Sequence, residues 1–280
     1  MTSVSPEEPS ARITTPERPA MLGPAVRALT ASYGSEFALQ ALTPEQAIAV
    51  VTGAGGGLGQ ALALELASRG ARLALTDRNP ENLAKSCEAC RAVGADVSEH
   101  MFDMADTHAI AALPDVVVER HGRVDLVVNN AGVALAGTFE QIGLDDFEWL
   151  MNINFYGPVR MCKAFLPALK ARPTAHIVNI SSLFGLVAPP GQTAYCAAKF
   201  GLRGFSESLR HELGETNIGV TVVHPGGIRT SIALSARIPA GVNSTELEEQ
   251  MKKFDAFLTT DPAVAARIIL DGVDRRAPRV

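Results

Sequence analysis

The chain has little cysteine, no concentrated basic stretch and no long apolar run. Four cysteines in 280 residues are too few for a disulfide framework, and the N-terminus lacks the basic-then-apolar layout of a secretory leader. A reducing cytoplasm is therefore the expected setting. No apolar run approaches the ~20 residues that a membrane-spanning helix needs. Lys and Arg number 25 against 30 Asp and Glu, a formal net charge of -5. Nucleic acid and anionic membrane are not the partners such a balance predicts. Cys87-x-x-Cys90 is half of a metal-binding pattern, but no second Cys or His pair stands at ligand spacing and the motif falls within a predicted helix, so no metal is expected.

What is present is a globular composition, 47% hydrophobic and 20% charged, in a chain long enough for a sizeable core. Residues 1 to about 20 are mostly Ser, Thr, Pro and Glu and cannot bury enough surface to offset the entropy of ordering them. Met21 to Leu42 is weakly apolar but is cut by Gly23, Pro24 and Gly34. Residues 1–45 thus read as a largely disordered extension, and residues 46–280 as one domain.

From Ala47 onward, short β-branched runs alternate with longer amphipathic ones. Strands are expected at Ile48–Thr52, Arg72–Thr76, Asp96–Met101, Val124–Asn129, His176–Ile180 and Val220–Val223. Continuous Val, Ile and Leu, as in Leu126-Val127-Val128, mark strands buried on both faces. A helix with Leu58, Leu62 and Leu66 on one face follows the first strand and closes at Gly70. Further helices are expected at Glu81–Val93, Thr107–His121, Asp145–Ala171, Thr193–Leu213, Thr245–Leu258 and Pro262–Val273. The pattern predicts an α/β fold with a doubly wound parallel sheet.

The first strand runs into Thr52-Gly53-Ala54-Gly55-Gly56-Gly57-Leu58-Gly59, a T-G-x-x-x-G-x-G turn that opens a helix. Glycine lets the backbone approach a pyrophosphate, and the helix start offers free N–H groups and the positive end of its dipole. Asp77 ends the second strand, where a carboxylate would accept hydrogen bonds from an adenosine ribose and repel a 2′-phosphate. This favours NAD over NADP. Arg78 could swing to a phosphate and favour NADP, and Asp77 could instead be an ordinary helix N-cap. Asn129-Asn130-Ala131-Gly132 keeps the carboxyl edge of the sheet open.

Tyr195 and Lys199 stand four apart on a predicted helix and project from one face. An ammonium beside a phenol favours the phenolate and moves its pKa from ~10 toward the working range. Ser182, at the end of the fifth strand, would hydrogen-bond a substrate oxygen. His224 reads as a strand-end histidine, and Trp149 as helix core.

Taken in order, these motifs resemble the short-chain dehydrogenase/reductase family. The resemblance rests on Thr52-Gly53-x-x-x-Gly57-x-Gly59, Asp103 after the third strand, Asn129-Asn130-Ala131-Gly132, Asn154, Ser182, Tyr195-x-x-x-Lys199, and Pro225-Gly226 followed by Thr230. It covers roughly residues 46–280 and implies a Rossmann fold. It also implies hydride transfer between a nicotinamide and a carbon bearing a hydroxyl or carbonyl. Tyr195 would be the acid/base, Lys199 would hold the nicotinamide ribose, Ser182 would orient the substrate oxygen, and Asn154 would hold a water that relays protons to Lys199.

By the same resemblance Gly53, Gly57, Leu58, Gly59, Asp77, Arg78, Asp103, Met104, Asn129, Ala131, Gly132, Pro225, Gly226 and Thr230 would contact the cofactor. Residues 226–261 would cover the substrate. Leu183, Phe184, Val187 and Ala188-Pro189-Pro190 favour a lipophilic secondary alcohol or ketone. The alternatives are an NADPH-dependent carbonyl reductase and a non-catalytic dinucleotide sensor. The family's long helices imply a homodimer or homotetramer, and its seventh strand would begin at Arg279.

Overall fold

Most strands form where aliphatic residues run together, covered on both faces, while the edge strand Val97–Met101 is polar and partly exposed. The computed structural model describes residues 47–232, 235–239, 242 and 258–280. The N-terminal extension lies outside the described residues, as does all but the last residue of the helix expected at Thr245–Leu258. The strands are β1 (Ile48–Thr52), β2 (Arg72–Asp77), β3 (Val97–Met101), β4 (Leu126–Asn129), β5 (Ala175–Ile180) and β6 (Ile218–Val223). All neighbours pair in parallel in the order β3-β2-β1-β4-β5-β6.

The helices are α1 (Gly57–Ser68), α2 (Pro80–Ala92), α3 (Thr107–His121), α4 (Leu144–Met151), α5 (Gly157–Lys170), α6 (Thr193–Glu212) and α7 (Pro262–Asp274). Side chains of a strand alternate between faces, and β1 shows the result. Ala49 and Val51 pack with Leu62 and Leu66 of α1, Leu83 of α2 and Ile269 of α7. Ile48 and Val50 pack with Val117 of α3 and with Met161 and Phe165 of α5. The sheet is therefore wound on both sides, as the unbroken aliphatic runs predict.

Three of the helices start on a side-chain cap. Asn79 accepts from Asn82 N at α2, Asp106 from Ala109 N at α3 and Asp261 from Ala263 N at α7. Asp77 is thus not the cap of α2. The single helix expected at Asp145–Ala171 is interrupted: α4 and α5 are joined by a π-helical turn, Asn152–Tyr156. Beyond α7, Val222 N donates to Pro278 O (3.1 Å) and Val280 N to Val222 O (3.1 Å), so Arg279 lies parallel to β6 as expected. The strand order reverses between β1 and β4, which opens a crevice at their carboxyl ends.

Candidate active site

Three glycines of the turn after β1 hold places that nothing larger can take. Gly53 and Gly57 adopt φ +66° and +53°, in the left-handed region. A Cβ on Gly59 would stand 2.0 Å from Gly53 O. Thr52 Oγ1 accepts from Asn130 N and Ala131 N (both 3.0 Å), and Asn130 Nδ2 donates to Thr52 O (3.0 Å) and Gly53 O (3.2 Å). The ends of β1 and β4 are thereby stitched together around the crevice.

Beside this turn, Asp77 Oδ2 accepts from Gly55 N (2.9 Å), while Asp77 Oδ1 accepts from Asn79 N (2.9 Å). A Cβ on Gly55 would lie 2.8 Å from the Asp77 carboxyl carbon, whereas a Cβ on Gly56 would meet nothing within 4 Å. The turn is closed toward Asp77 and open on its outer side. Arg78 is exposed immediately beyond. Asp103 accepts from Ala105 N (2.8 Å). Thr230 reaches the turn from the far side, its Cβ 3.1 Å from where a Gly57 Cβ would stand.

Three of the expected cofactor residues turn their side chains elsewhere. Asn129 is 1% exposed, and its amide donates to Asn179 Oδ1 (2.8 Å) within the α5 layer. Leu58 and Met104 are core residues on opposite faces of the sheet. Only the backbone of these three can face the crevice.

Ser182, Tyr195 and Lys199 are brought together at the end of β5. The loop from Ser182 is folded onto α6 by Gly185, where a Cβ would stand 2.4 Å from Ser181 Oγ and 2.9 Å from Lys199 O. Ser181 Oγ donates to Lys199 O (2.9 Å), and Leu183 N donates to Pro225 O (2.8 Å). His224 Nδ1 hydrogen-bonds the Ser182 carbonyl (3.2 Å). Phe184 meets the Tyr195 ring edge-on at 6.3 Å. The Ser182 side chain stands near enough to the Tyr195 phenol to pull its pKa down, and its hydroxyl accepts from Phe184 N (3.1 Å).

The protonation of this group differs from the sequence-based expectation. Burial pushes the Tyr195 phenol up to about 12, with Ser182 pulling it down only in part. Burial also brings the Lys199 ammonium down to about 8. Lys199 Nζ donates to Ile180 O (2.9 Å) and lies 5.6 Å from the Tyr195 ring centroid. Desolvation therefore outweighs the neighbouring charge in the protein alone.

Asn154 sits in the π-helical turn, a feature that re-aims side chains at functional sites. Its Oδ1 accepts from Val133 N and its Nδ2 donates to Val133 O, both at 2.8 Å. Each amide atom thus makes one of the two hydrogen bonds open to it. Gly132 leaves a gap here: a Cβ would lie 3.4 Å from Asn154 Oδ1 and 3.7 Å from Lys199 Nζ.

Residues 47–239 match the sequence pattern of the short chain dehydrogenase family. The chain belongs to the short-chain dehydrogenase/reductase family. The putative oxidoreductase SadH of Mycobacterium tuberculosis is 44% identical over 239 residues, covering 84% of this chain and 86% of that protein. Dehydrogenase/reductase SDR family member 7B of Bos taurus is 38% identical over 196 residues, 68% of this chain and 60% of that protein. A short-chain dehydrogenase/reductase from Burkholderia phymatum, solved in complex with NAD, superposes with a TM-score of 0.79 at 28% identity, over 85% of this chain and 89% of that one. A metagenomic short-chain oxidoreductase, solved in complex with NADP, superposes with a TM-score of 0.70 at 30% identity, over 85% of this chain and 97% of that one.

In this short-chain dehydrogenase/reductase several positioning residues were not among those expected from sequence. Asn130 holds the glycine turn, and Ser181 and Gly185 fix the Ser182 loop. The adjacent asparagines and the Ser181-Ser182 doublet were the available signals, but neither says which member faces the crevice. Trp149 is also not simple core: it is half-buried beneath Arg237. The thiols of Cys87 and Cys90 are buried and pushed up to about 12 and about 11. Among the described residues no three His, Cys, Asp or Glu side chains are grouped to hold a metal ion. No described helix is long and apolar enough to cross a membrane.

Proposed function

We propose that the chain interconverts a lipophilic secondary alcohol and the corresponding ketone with NAD(H). The observation that carries this reading is the convergence of Ser182, Tyr195 and the buried ammonium of Lys199 at the end of β5, with Lys199 Nζ beside the Tyr195 ring and next to Gly132. The residues present fit a dinucleotide. The turn is open above Gly56, the start of α1 presents its N–H groups, and Asp77 lies against Gly55 where it would accept hydrogen bonds from an adenosine ribose. When bound, the reduced nicotinamide would supply the hydride for ketone reduction and the oxidised one would accept it in alcohol oxidation.

The chain's own residues do the rest. Tyr195 gives a proton to the carbonyl oxygen in reduction and removes it from the hydroxyl in oxidation. Ser182 donates to that oxygen and sets its distance from the phenol. Lys199, a cation below about pH 8, would hold the ribose hydroxyls and supply positive charge that favours the phenolate. The apolar wall comes from Leu183, Leu186 and Val187, which are all more than two-fifths exposed around Ser182. We further propose that α5 and α6 form the contact of a homodimer or homotetramer, to be read by size-exclusion elution.

The first test is replacement of Tyr195 by Phe. Turnover of secondary alcohols and ketones should fall by about a hundredfold or more, while NADH binding, followed by nicotinamide fluorescence, stays unchanged. Undiminished turnover would remove Tyr195 from the mechanism. Titration of the native protein should show tighter binding of NADH than of NADPH, and Asp77→Ser should narrow that gap. A native preference for NADPH would instead make Arg78 the determinant and favour carbonyl reduction.

A further inference from the structure

The segment that follows β6 first passes the glycine turn, where Thr230 lies beside Gly57. It then returns to the wall of the site at Arg237. Arg237 N donates to Ala134 O and Ala136 N donates to Arg237 O, both at 3.0 Å, forming a parallel bridge at Leu135. Leu135 is 4% exposed and shares an apolar cluster with Leu150, Ala198 and Tyr195. The segment thus runs from the cofactor side of the crevice to the wall behind the phenol.

The Arg237 side chain adds a second attachment to the same place. Its guanidinium carbon lies 3.7 Å from the centroid of the Trp149 ring, and Nη1 donates to Asp146 Oδ1 at 2.8 Å. Asp146 and Trp149 are i and i+3 on α4 and so present one surface. A planar guanidinium can stack on an indole and pair with a carboxylate at once, whereas an ammonium cannot do both. An exposed ion pair alone would contribute little. Here the stacking, the pairing and two backbone bonds coincide on a residue 91 positions from its partner.

We propose that Arg237 is a positioning residue that seats the segment after β6 on α4, and thereby sets substrate affinity without touching the reacting atoms. The inference rests on the alcohol/ketone reading for its substrate half only. Its structural half can be read independently, because Trp149 is the only tryptophan of the chain.

The test compares Arg237→Leu, Arg237→Lys and Asp146→Asn with the native protein. Loss of the guanidinium should shift tryptophan emission to the red and increase its quenching by acrylamide, with Arg237→Lys falling between. KM for the secondary alcohol or ketone best used by the native protein should rise about tenfold in Arg237→Leu, the loss expected for one stacked cation and one exposed ion pair. kcat and NADH affinity should be unchanged. Native-like emission and quenching in Arg237→Leu would overturn the seating. A fall in kcat at constant KM would overturn the role in affinity. A native protein that turns over no alcohol or ketone would overturn the functional reading, and emission would still decide the seating.

Discussion

His176 shows how one side chain ties the fold to pH. Thr221 Oγ1 donates its proton to Ala277 O (2.6 Å), so the 2.8 Å contact between Thr221 Oγ1 and His176 Nε2 requires that Nε2 be the donor. The imidazole is accommodated because Gly219 has no Cβ, which would stand 2.4 Å from Nδ1. A second proton would be buried beside Arg276, and burial and that charge hold the pKa down from 6.5 to about 3. The folded state then binds fewer protons than the unfolded one between those values. Stability is complete above about pH 6.5 and is lost as pH falls toward 3. Urea unfolding at pH 7 and pH 5 should show His176→Gln losing less stability than the native protein, by about 2 kcal/mol. Equal losses would mean that His176 accepts its second proton in the fold without penalty.

At the scale of elements, strand ends were legible in the sequence to within two residues or so because burial on both faces leaves unbroken aliphatic runs. Helix starts were legible where a capping Asp or Asn precedes the apolar face. The π-helical turn was not, because one extra residue barely disturbs the spacing of apolar positions across Asp145–Ala171. Nor were the side-chain directions at Asn129 and Asn130, which are adjacent in sequence and point to different sides of the sheet end. The seat of Arg237 on Trp149 was illegible for a simpler reason: it joins segments that only the completed fold brings together. The π-helical turn exists in exchange for the two bonds between Asn154 and Val133. Asn154→Leu should therefore leave a buried N–H and C=O unpaired and cost about 3 kcal/mol in urea unfolding. Asn154→Asp should cost at least as much, since Oδ2 would face the Val133 carbonyl with no proton to donate and would bury a charge. Native-like stability of both variants would show that the turn is held by its packing alone.

The described residues form a sheet between two helical layers, with thiols distributed unevenly through it. Cys87 and Cys90 lie in the α1–α2–α7 layer, Cys162 lies in the α3–α5 layer, and Cys196 lies on α6 beside Tyr195. All four are buried, and burial raises every one of their pKa values. The folded protein should react far more slowly with a disulfide reagent than the unfolded chain, whose four thiols should titrate at once. Fast reaction of one thiol in the folded protein would expose a local opening. Because the cysteines are partitioned by layer, mass spectrometry of the modified sites turns them into separate clocks. The order in which Cys162, the Cys87/Cys90 pair and Cys196 become labelled in mild denaturant would show which side of the sheet detaches first, with no residue added or removed.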